Sequence, residues 1–245
     1  MITCLTGSGG ECRGTQSADQ ITGTIAVNQI YALNGADLVQ AGGGADFVKG
    51  GSDDDTIYGG EGDDTAGGAI GNDKSFGGAG NERLSGGEGE DEIHGGPGDD
   101  IDLDGDHLID TIYSEEGNGL ELDGDSAGDL LYGGPGDDGG VPTSENLRIR
   151  GLRGEGSKNQ VYGDEGSDTM DAQTAVDRGG TPEKIYAGDG DDTITAADGL
   201  VDEIDFGPGL DDTVVSYDRG LDVLKDCETP SPPAAAKVVG KVVGN

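Results

Sequence analysis

A nine-residue period sets the narrowest limit on what this chain can fold into. Starting at Gly14, ten consecutive blocks share one register: GTQSADQIT, GTIAVNQIY, ALNGADLVQ, AGGGADFVK, GGSDDDTIY, GGEGDDTAG, GAIGNDKSF, GGAGNERLS, GGEGEDEIH and GGPGDDIDL, ending at Leu103. The sixth column reads Asp19, Asn28, Asp37, Asp46, Asp55, Asp64, Asp73, Glu82, Asp91 and Asp100, so every position offers a side-chain oxygen. The eighth column reads Ile21, Ile30, Val39, Val48, Ile57, Ala66, Ser75, Leu84, Ile93 and Asp102, mostly large aliphatics. The first two columns are mostly Gly. Self-similarity at a fixed short period marks a solenoid, in which each unit buries its apolar face only by stacking on the next.

Composition sharpens the question that the period answers. The 245 residues include 51 Gly, 4% aromatics, no Trp and a formal charge of −37. Low hydrophobicity with high net charge ordinarily leaves a chain disordered, because too little apolar burial is available to offset backbone entropy. A disordered acidic tail needs no order among its residues, and this one has it. Something cationic must therefore neutralise the folded chain. The acidity disfavours nucleic-acid partners and anionic membranes. No stretch is long and apolar enough to span a bilayer. The start, MITCLTGSGG, has neither a basic nor an apolar region of a secretory signal.

Past Leu103 the period loosens without disappearing. It recurs at Asp110–Tyr113, Asp129–Tyr132, Gly133–Asp138, Gly163–Met170, Ala187–Thr195 and Gly207–Val215. Irregular inserts are expected at residues 114–123, 142–153 and 172–182.

The columns can be read physically. Gly at columns one, two and four permits positive φ and tight turns. It also leaves backbone carbonyls open to an ion, and the column-six carboxylate adds a charged oxygen. Calcium takes six to eight such oxygens. The last three columns form a short strand whose column-eight side chain points inward. Two nonapeptides make one turn of the coil, so loops eighteen residues apart stack on one edge about 4.8 Å apart. Asp37 then faces Asp55, Asp46 faces Asp64, Asp55 faces Asp73, and Asp73 faces Asp91.

The consensus G-G-x-G-x-D-x-U-x, carried most closely by GGEGDDTAG from Gly59 and GGPGDD from Gly95, resembles the repeats-in-toxin (RTX, haemolysin-type) calcium-binding family. The resemblance is tight over residues 14–103 and intermittent to about 228. It implies an all-β fold, a right-handed parallel β-roll of about ten coils. It also implies a row of calcium ions along each edge, about ten in all, and folding on meeting millimolar calcium outside the cell. The ligands it implies are column-six carboxylates and the carbonyls of columns one to four. On this chain these fall at Asp37, Asp46, Asp55, Asp64, Asp73, Glu82, Asp91 and Asp100, with Gly42, Gly44, Gly50, Gly51, Asp53, Gly59, Gly60, Glu61, Gly62, Gly77, Gly78, Gly80, Gly86, Gly87, Gly89, Gly95, Gly96 and Gly98. Further along they fall at Asp129, Gly133, Gly134, Asp138, Asp168, Asp192 and Asp212. Asn28 and Glu82 depart from Asp. The blocks at Ala32 and Ala41 lack the first Gly, and the block at Gly14 lacks the second.

The expected organisation is a lead over 1–13, a regular roll over 14–103, a less regular roll over 104–215, a cap over 216–228 and a Pro/Ala-rich tail over 229–245. Cys4 and Cys12 could bridge or remain thiols, with Cys227 left over. Tyr31, Tyr58, Tyr113, Tyr132, Tyr162 and Tyr186 occupy column nine and should point outward, and their spacings suggest no continuous ladder. His94 and His107 read as exposed polar residues. Arg148, Arg150, Arg153 and Lys158 concentrate basic charge where the carboxylates lapse, and guanidinium groups there could stand in for calcium.

No catalytic machinery is expected. There is no G-x-S-x-G elbow, no P-loop and no HExxH. Acidic pairs such as Asp99–Asp100 recur with every repeat, which a unique active site would not do. The reading is calcium binding coupled to folding of a secreted or cell-surface structural protein. The alternatives are a calcium-dependent adhesin segment, with an unidentified surface or matrix partner, and the export or folding module of a larger secreted hydrolase or toxin.

Overall fold

In the computed structural model, the structure describes residues 1–4, 10–117, 121–124, 129–136, 148–150, 160–171, 184–196, 202–208, 212–217 and 222–225. These residues form two parallel sheets and no helix. The first sheet has 12 strands, from Ile2–Thr3, Gln20–Thr24, Leu38–Gly43 and Thr56–Glu61 through to Glu203–Asp205 and Val223–Lys225. The second has 11, beginning at Gly10–Arg13, Asn28–Asn34 and Phe47–Ser52. Successive strands of the chain alternate between the sheets, so each pair of strands completes one coil. The architecture is a parallel β-roll, close in length to the coil count expected from the repeat.

Register follows directly from the period. Leu38 pairs with Thr56, Val39 with Ile57 and Gln40 with Tyr58, each two nonapeptides on. Column eight points inward because alternate strand side chains face opposite ways. Ile21, Val39, Ile57, Ile93, Ile112, Leu131, Val161, Ile185 and Ile204 line the inner face of the first sheet, all buried. Ile30, Val48, Ala66, Leu84, Leu103, Leu122, Met170, Ile194 and Val214 face them from the second. One large apolar side chain per strand is a thin core, and the folding energy must draw on the loops as well.

Two expectations need correction. The inward side chain of the tenth block is Leu103 and not Asp102. Leu84 pairs with Leu103, nineteen positions on, and the N–H groups of Ile101 and Asp102 both donate to Glu82 O at 2.9 and 3.4 Å. One added residue therefore bulges out before the strand resumes, and it keeps an acid out of the core. The insert expected over 114–123 does not reach its expected end, because Glu121–Asp123 is a strand and Leu122 pairs with Leu103. The chain lengthens later, between Leu122 and its partner Ile149 and between Leu131 and its partner Val161. Residues 172–182, most of 142–153, Arg153, Lys158, Asp138, Cys227 and the tail from 229 lie outside the described residues.

The lead takes part in both sheets. Ile2–Thr3 pairs with Gln20–Thr24, and Gly10–Arg13 pairs with Asn28–Asn34. Cys4 and Cys12 are disulfide-bonded, and both are buried at the end of the core. At the other end, Val223–Lys225 closes the first sheet against Glu203–Asp205.

Among the described inward-facing column-eight positions, one is polar. Ser75 holds the inward place between Ile57 and Ile93, is 1% exposed, and its hydroxyl has no hydrogen-bond partner. A buried unsatisfied hydroxyl costs roughly 1–3 kcal/mol. Ser75→Val should therefore raise stability by about 1 kcal/mol in urea unfolding at saturating calcium. A lower midpoint for the variant would show that the hydroxyl is needed where it lies.

Candidate metal sites along the two edges of the roll

Columns one to six form the loops that join the sheets, and each column has its own job. In the loop Gly59–Asp64, the second and fourth residues, Gly60 and Gly62, have φ of 119° and 118°. Such backbone is open to Gly at little cost, and it reverses the chain within a few residues. Column one differs from the expectation: Gly59 is absent from the positive-φ residues and serves by its size. A Cβ at Gly59 would lie 2.5 Å from Asp64 Oδ2 and 2.5 Å from Gly77 O. Gly50, Gly68, Gly86 and Gly95 stand in the same relation to Asp55, Asp73, Asp91 and Asp100. The carboxylate is thus folded back under its own loop. Ala32 and Ala41 take the same place with their methyl groups buried.

From Asp37 onward, the described column-six side chains are buried at the loop base. Asp37, Asp46, Asp55, Asp64, Asp73, Glu82, Asp91, Asp100, Asp129, Asp168, Asp192 and Asp212 are each 6% exposed or less. One carboxylate oxygen bonds to the loop behind it. The N–H groups of Asp37, Asp55 and Asp73 donate to Oδ1 of Asp55, Asp73 and Asp91 at 2.8, 2.7 and 2.7 Å. Asp46 N–H donates to Asp64 Oδ1 on the other edge at 2.7 Å. The pairs that face each other are those expected from the period. The second oxygen, Oδ2, of Asp37, Asp46, Asp55, Asp64, Asp73, Asp91, Asp110 and Asp192 is buried without a hydrogen-bond partner.

Burial without a counter-charge shows in the acidities. It pushes Asp55 up to about 7 and Asp64, Asp73, Asp91 and Asp192 up to about 6, with neighbouring carboxylates adding to the rise. Asp110 rises to about 8 for the same reasons. Glu82 interrupts the pattern. Its longer side chain sets Cγ, rather than an oxygen, 2.5 Å from where a Cβ on Gly77 would sit. Burial and the adjoining Asp100 carboxyl push it up to about 9.

Backbone oxygens complete the cradle. The carbonyls of Gly42, Gly60 and Gly78 point along the roll at the next loop, 2.0–2.2 Å from where Cβ atoms on Gly60, Gly78 and Gly96 would lie. Those of Gly62, Gly71 and Gly80 do the same toward Gly80, Gly89 and Gly98, at 1.6–2.4 Å. Gly44, Gly51 and Gly87 also have positive φ. Gly133 and Gly134 open the loop that follows Tyr132, and Gly134 also has positive φ. Asp53 holds a column-four place at φ 78° and accepts from Gly35 N–H through Oδ2 at 3.0 Å. Glu61 is an exposed column-three residue whose carbonyl accepts from Gly44 N–H at 2.7 Å. Among the described residues no three His, Cys, Asp or Glu side chains converge on one point. An ion here would need carbonyls as well as carboxylates. All-oxygen sets of that kind suit calcium and not zinc.

Sequence reasoning missed the outer face. Tyr58, Phe76, His94, Tyr113, Tyr132, Tyr162 and Tyr186 stack in one unbroken ladder on the first sheet, with ring centroids 4.6–4.9 Å apart and planes within 16°. This overturns the expectation of no continuous ladder. His94 is not simply exposed: it lies between Phe76 and Tyr113, and its two ring nitrogens meet Glu92 and Glu115 at 3.0 and 2.8 Å. Ring faces cover one another, so stacking, at about 0.5–1.5 kcal/mol per pair, is what the ladder supplies.

The described chain is a parallel β-solenoid with glycine-turned, acid-lined edges. The family of RTX calcium-binding nonapeptide repeats, in its four-copy form, matches residues 13–48, 40–74, 76–101, 152–174 and 179–199, more than half of the sequence. The chain belongs to that family, whose repeats bind calcium in a β-roll. No curated protein matches it. Among the described residues no helix is long and apolar enough to cross a membrane.

Proposed function

We propose that the chain is a structural calcium-binding protein that folds when calcium enters the spaces between stacked loops, and that it works without catalysis in a secreted or cell-surface setting. The observation that carries this reading is the row of buried carboxylates at Asp37, Asp46, Asp55, Asp64, Asp73, Asp91, Asp110 and Asp192, whose Oδ2 atoms lack a hydrogen-bond partner. An ionised carboxylate cannot stay buried in that state, because desolvating an unpaired charge is expensive. A divalent ion between neighbouring loops meets the need. About ten ions would offset about twenty charges at two per ion.

The mechanism is linkage. Calcium binds the folded roll and not the open coil, so free calcium drives the folding equilibrium. Low intracellular calcium would leave the chain open, and millimolar calcium outside would close it. The ligands proposed are the column-six carboxylates from Asp37 to Asp100, with Asp129, Asp168, Asp192 and Asp212, together with the loop carbonyls described above. The test is circular dichroism during a calcium titration, with magnesium as the control ion. Magnesium holds its waters and demands a tighter octahedron, so it should not substitute. A β signal appearing at millimolar calcium alone is the expected result. A roll already complete in chelator would end the proposal.

A further inference from the structure

The first two loops of the roll depart from all that follow, in three ways that agree. The first is backbone. Among the described residues no positive φ precedes Leu33, whereas the later loops use it at columns two and four. Thr15 and Thr24 stand at column two, where Gly mostly stands later and where Leu33 and Ala69 also take positive φ.

The second is hydrogen bonding. Thr15 N–H and its hydroxyl both donate to Asp19 Oδ2, at 2.7 and 2.8 Å. The oxygen left without a partner in Asp37, Asp46, Asp55 and Asp64 is therefore satisfied in Asp19. In the next loop Thr24 N–H donates to Asn28 Oδ1 at 2.8 Å. The Asn28 amide N–H group donates to Thr24 Oγ1 at 3.0 Å and to Ala26 O. An Asp at position 28 could do only the accepting half of this, and Ala26 O would then face a carboxylate. The amide supplies locally the positive edge that a cation supplies elsewhere. Both loops also repeat one smaller contact: Ser17 N–H donates to Thr15 Oγ1 and Ala26 N–H to Thr24 Oγ1, at 3.3 and 3.1 Å.

The third is covalent. Cys4 occupies the place stacked on Gly23 and Cys12 the inward place stacked on Ile30, and their disulfide ties the ends of the two sheets together above these loops.

We infer that residues 1–4 and 10–34 form a metal-free cap: a disulfide and two loops closed by Thr15–Asp19 and Thr24–Asn28 hydrogen bonds, which take no calcium and keep their shape without it. The inference rests on calcium being the ion of the later loops. The cap meets the calcium-dependent coils through two contacts, Asp19 N–H to Asp37 Oδ1 and Asn28 N–H to Asp46 Oδ1, both 2.6 Å. It thus presents a fixed end against which the first ion-holding loops, those of Asp37 and Asp46, can stack. Nucleating a solenoid is costly and adding a repeat to an existing end is cheap. The cap lowers the calcium needed to start the roll, and reduction of the disulfide removes that help.

The test uses the full chain. Amide hydrogen exchange is followed while free calcium is lowered with a chelator. The amides of Thr15, Ser17, Thr24 and Ala26 should stay protected at calcium levels where those of Gly44, Gly62 and Gly71 exchange at least tenfold faster. Dithiothreitol should abolish the difference. A second arm is Asn28→Asp, which removes the amide donor. It should raise the calcium bound per chain by about one in equilibrium dialysis and make the Thr24 and Ala26 amides calcium-dependent. Cap amides that lose protection together with the later loops would overturn the inference. So would an Asn28→Asp variant with unchanged stoichiometry and exchange. If every loop stays protected in chelator, calcium-dependent folding fails, and the Asn28→Asp arm still decides the cap.

Discussion

Gly60→Ala should cost the roll more than about 3 kcal/mol, while Gly67→Ala, seven residues away, should be neutral or stabilise it slightly. The two substitutions add the same methyl group. At Gly60 the backbone has φ of 119°, where a Cβ is strained whatever space surrounds it, and that Cβ would fall 2.0 Å from Gly42 O. Neither fault can be relieved by a side chain moving aside, because the clash is with backbone. The damage also reaches the next coil, because Gly60 O faces Gly78 across the site. Gly67 lies in an ordinary strand conformation, and its Cβ would meet only Ser85 O at 3.9 Å. There the Ala restricts the unfolded chain, a gain of about 0.4–1 kcal/mol. Urea unfolding at saturating calcium measures both. Equal effects from the two would mean that the loop backbone is not as described, and the carbonyl cradle would fall with it.

The contrast between these glycines bears on what could be read in advance. Columns six and eight were legible because each holds one chemical role at a fixed sequence interval. Asp55 and Asp73 are as far apart in sequence as Ile57 and Ser75, and a period can see that. The ladder was not legible, because its later rungs are spaced by whatever lies between them. Tyr132 pairs with Tyr162 and Tyr162 with Tyr186, at unequal separations, so only the stacked strands bring the rings together. The added residue before Leu103 escaped for a similar reason: Ile101 and Asp102 look like a continuation of the block until hydrogen bonding to Glu82 O fixes the bulge. Asn28 was visible as a departure from Asp. What it does there was not visible, since its value lies in donating to Ala26 O, a contact with no signature in the repeat.

The aromatic ladder and the charge layout then explain each other. Outward charges on the first sheet come in near-balanced partners, such as Lys74 with Glu92 and both Lys184 and Lys225 with Glu203. On this sheet the buried carboxylates lie at the loop edges, and stacked rings hold the register of the outward face between them.

Protons and calcium satisfy the same buried oxygens, so the calcium midpoint for folding should fall as pH falls. The direction follows from the carboxylates. An unfolded Asp titrates near pH 3.9. In the metal-free roll Asp64, Asp73, Asp91 and Asp192 are raised to about 6, Asp55 to about 7 and Asp110 to about 8, chiefly by burial. Groups raised on folding give stability that is complete below about pH 4 and is lost as pH rises through 6 to 8. The open chain is ionised between about pH 5.5 and 7.5 and gives up few protons when calcium folds it, whereas acid protonates the metal-free roll and stabilises it against the coil. Less calcium is then needed to close the roll, and calcium entering a roll already closed by acid must expel those protons. Between about pH 7.5 and 5.5 the midpoint should fall several-fold, measured by circular dichroism during calcium titration at each pH. Asp55→Asn keeps an acceptor for Asp37 N–H but takes up no proton, so it should weaken binding and shrink the pH dependence. A midpoint that holds constant down to pH 5.5 would mean that these carboxylates are already ionised and solvated without metal, and their burial would then give calcium no reason to close the roll.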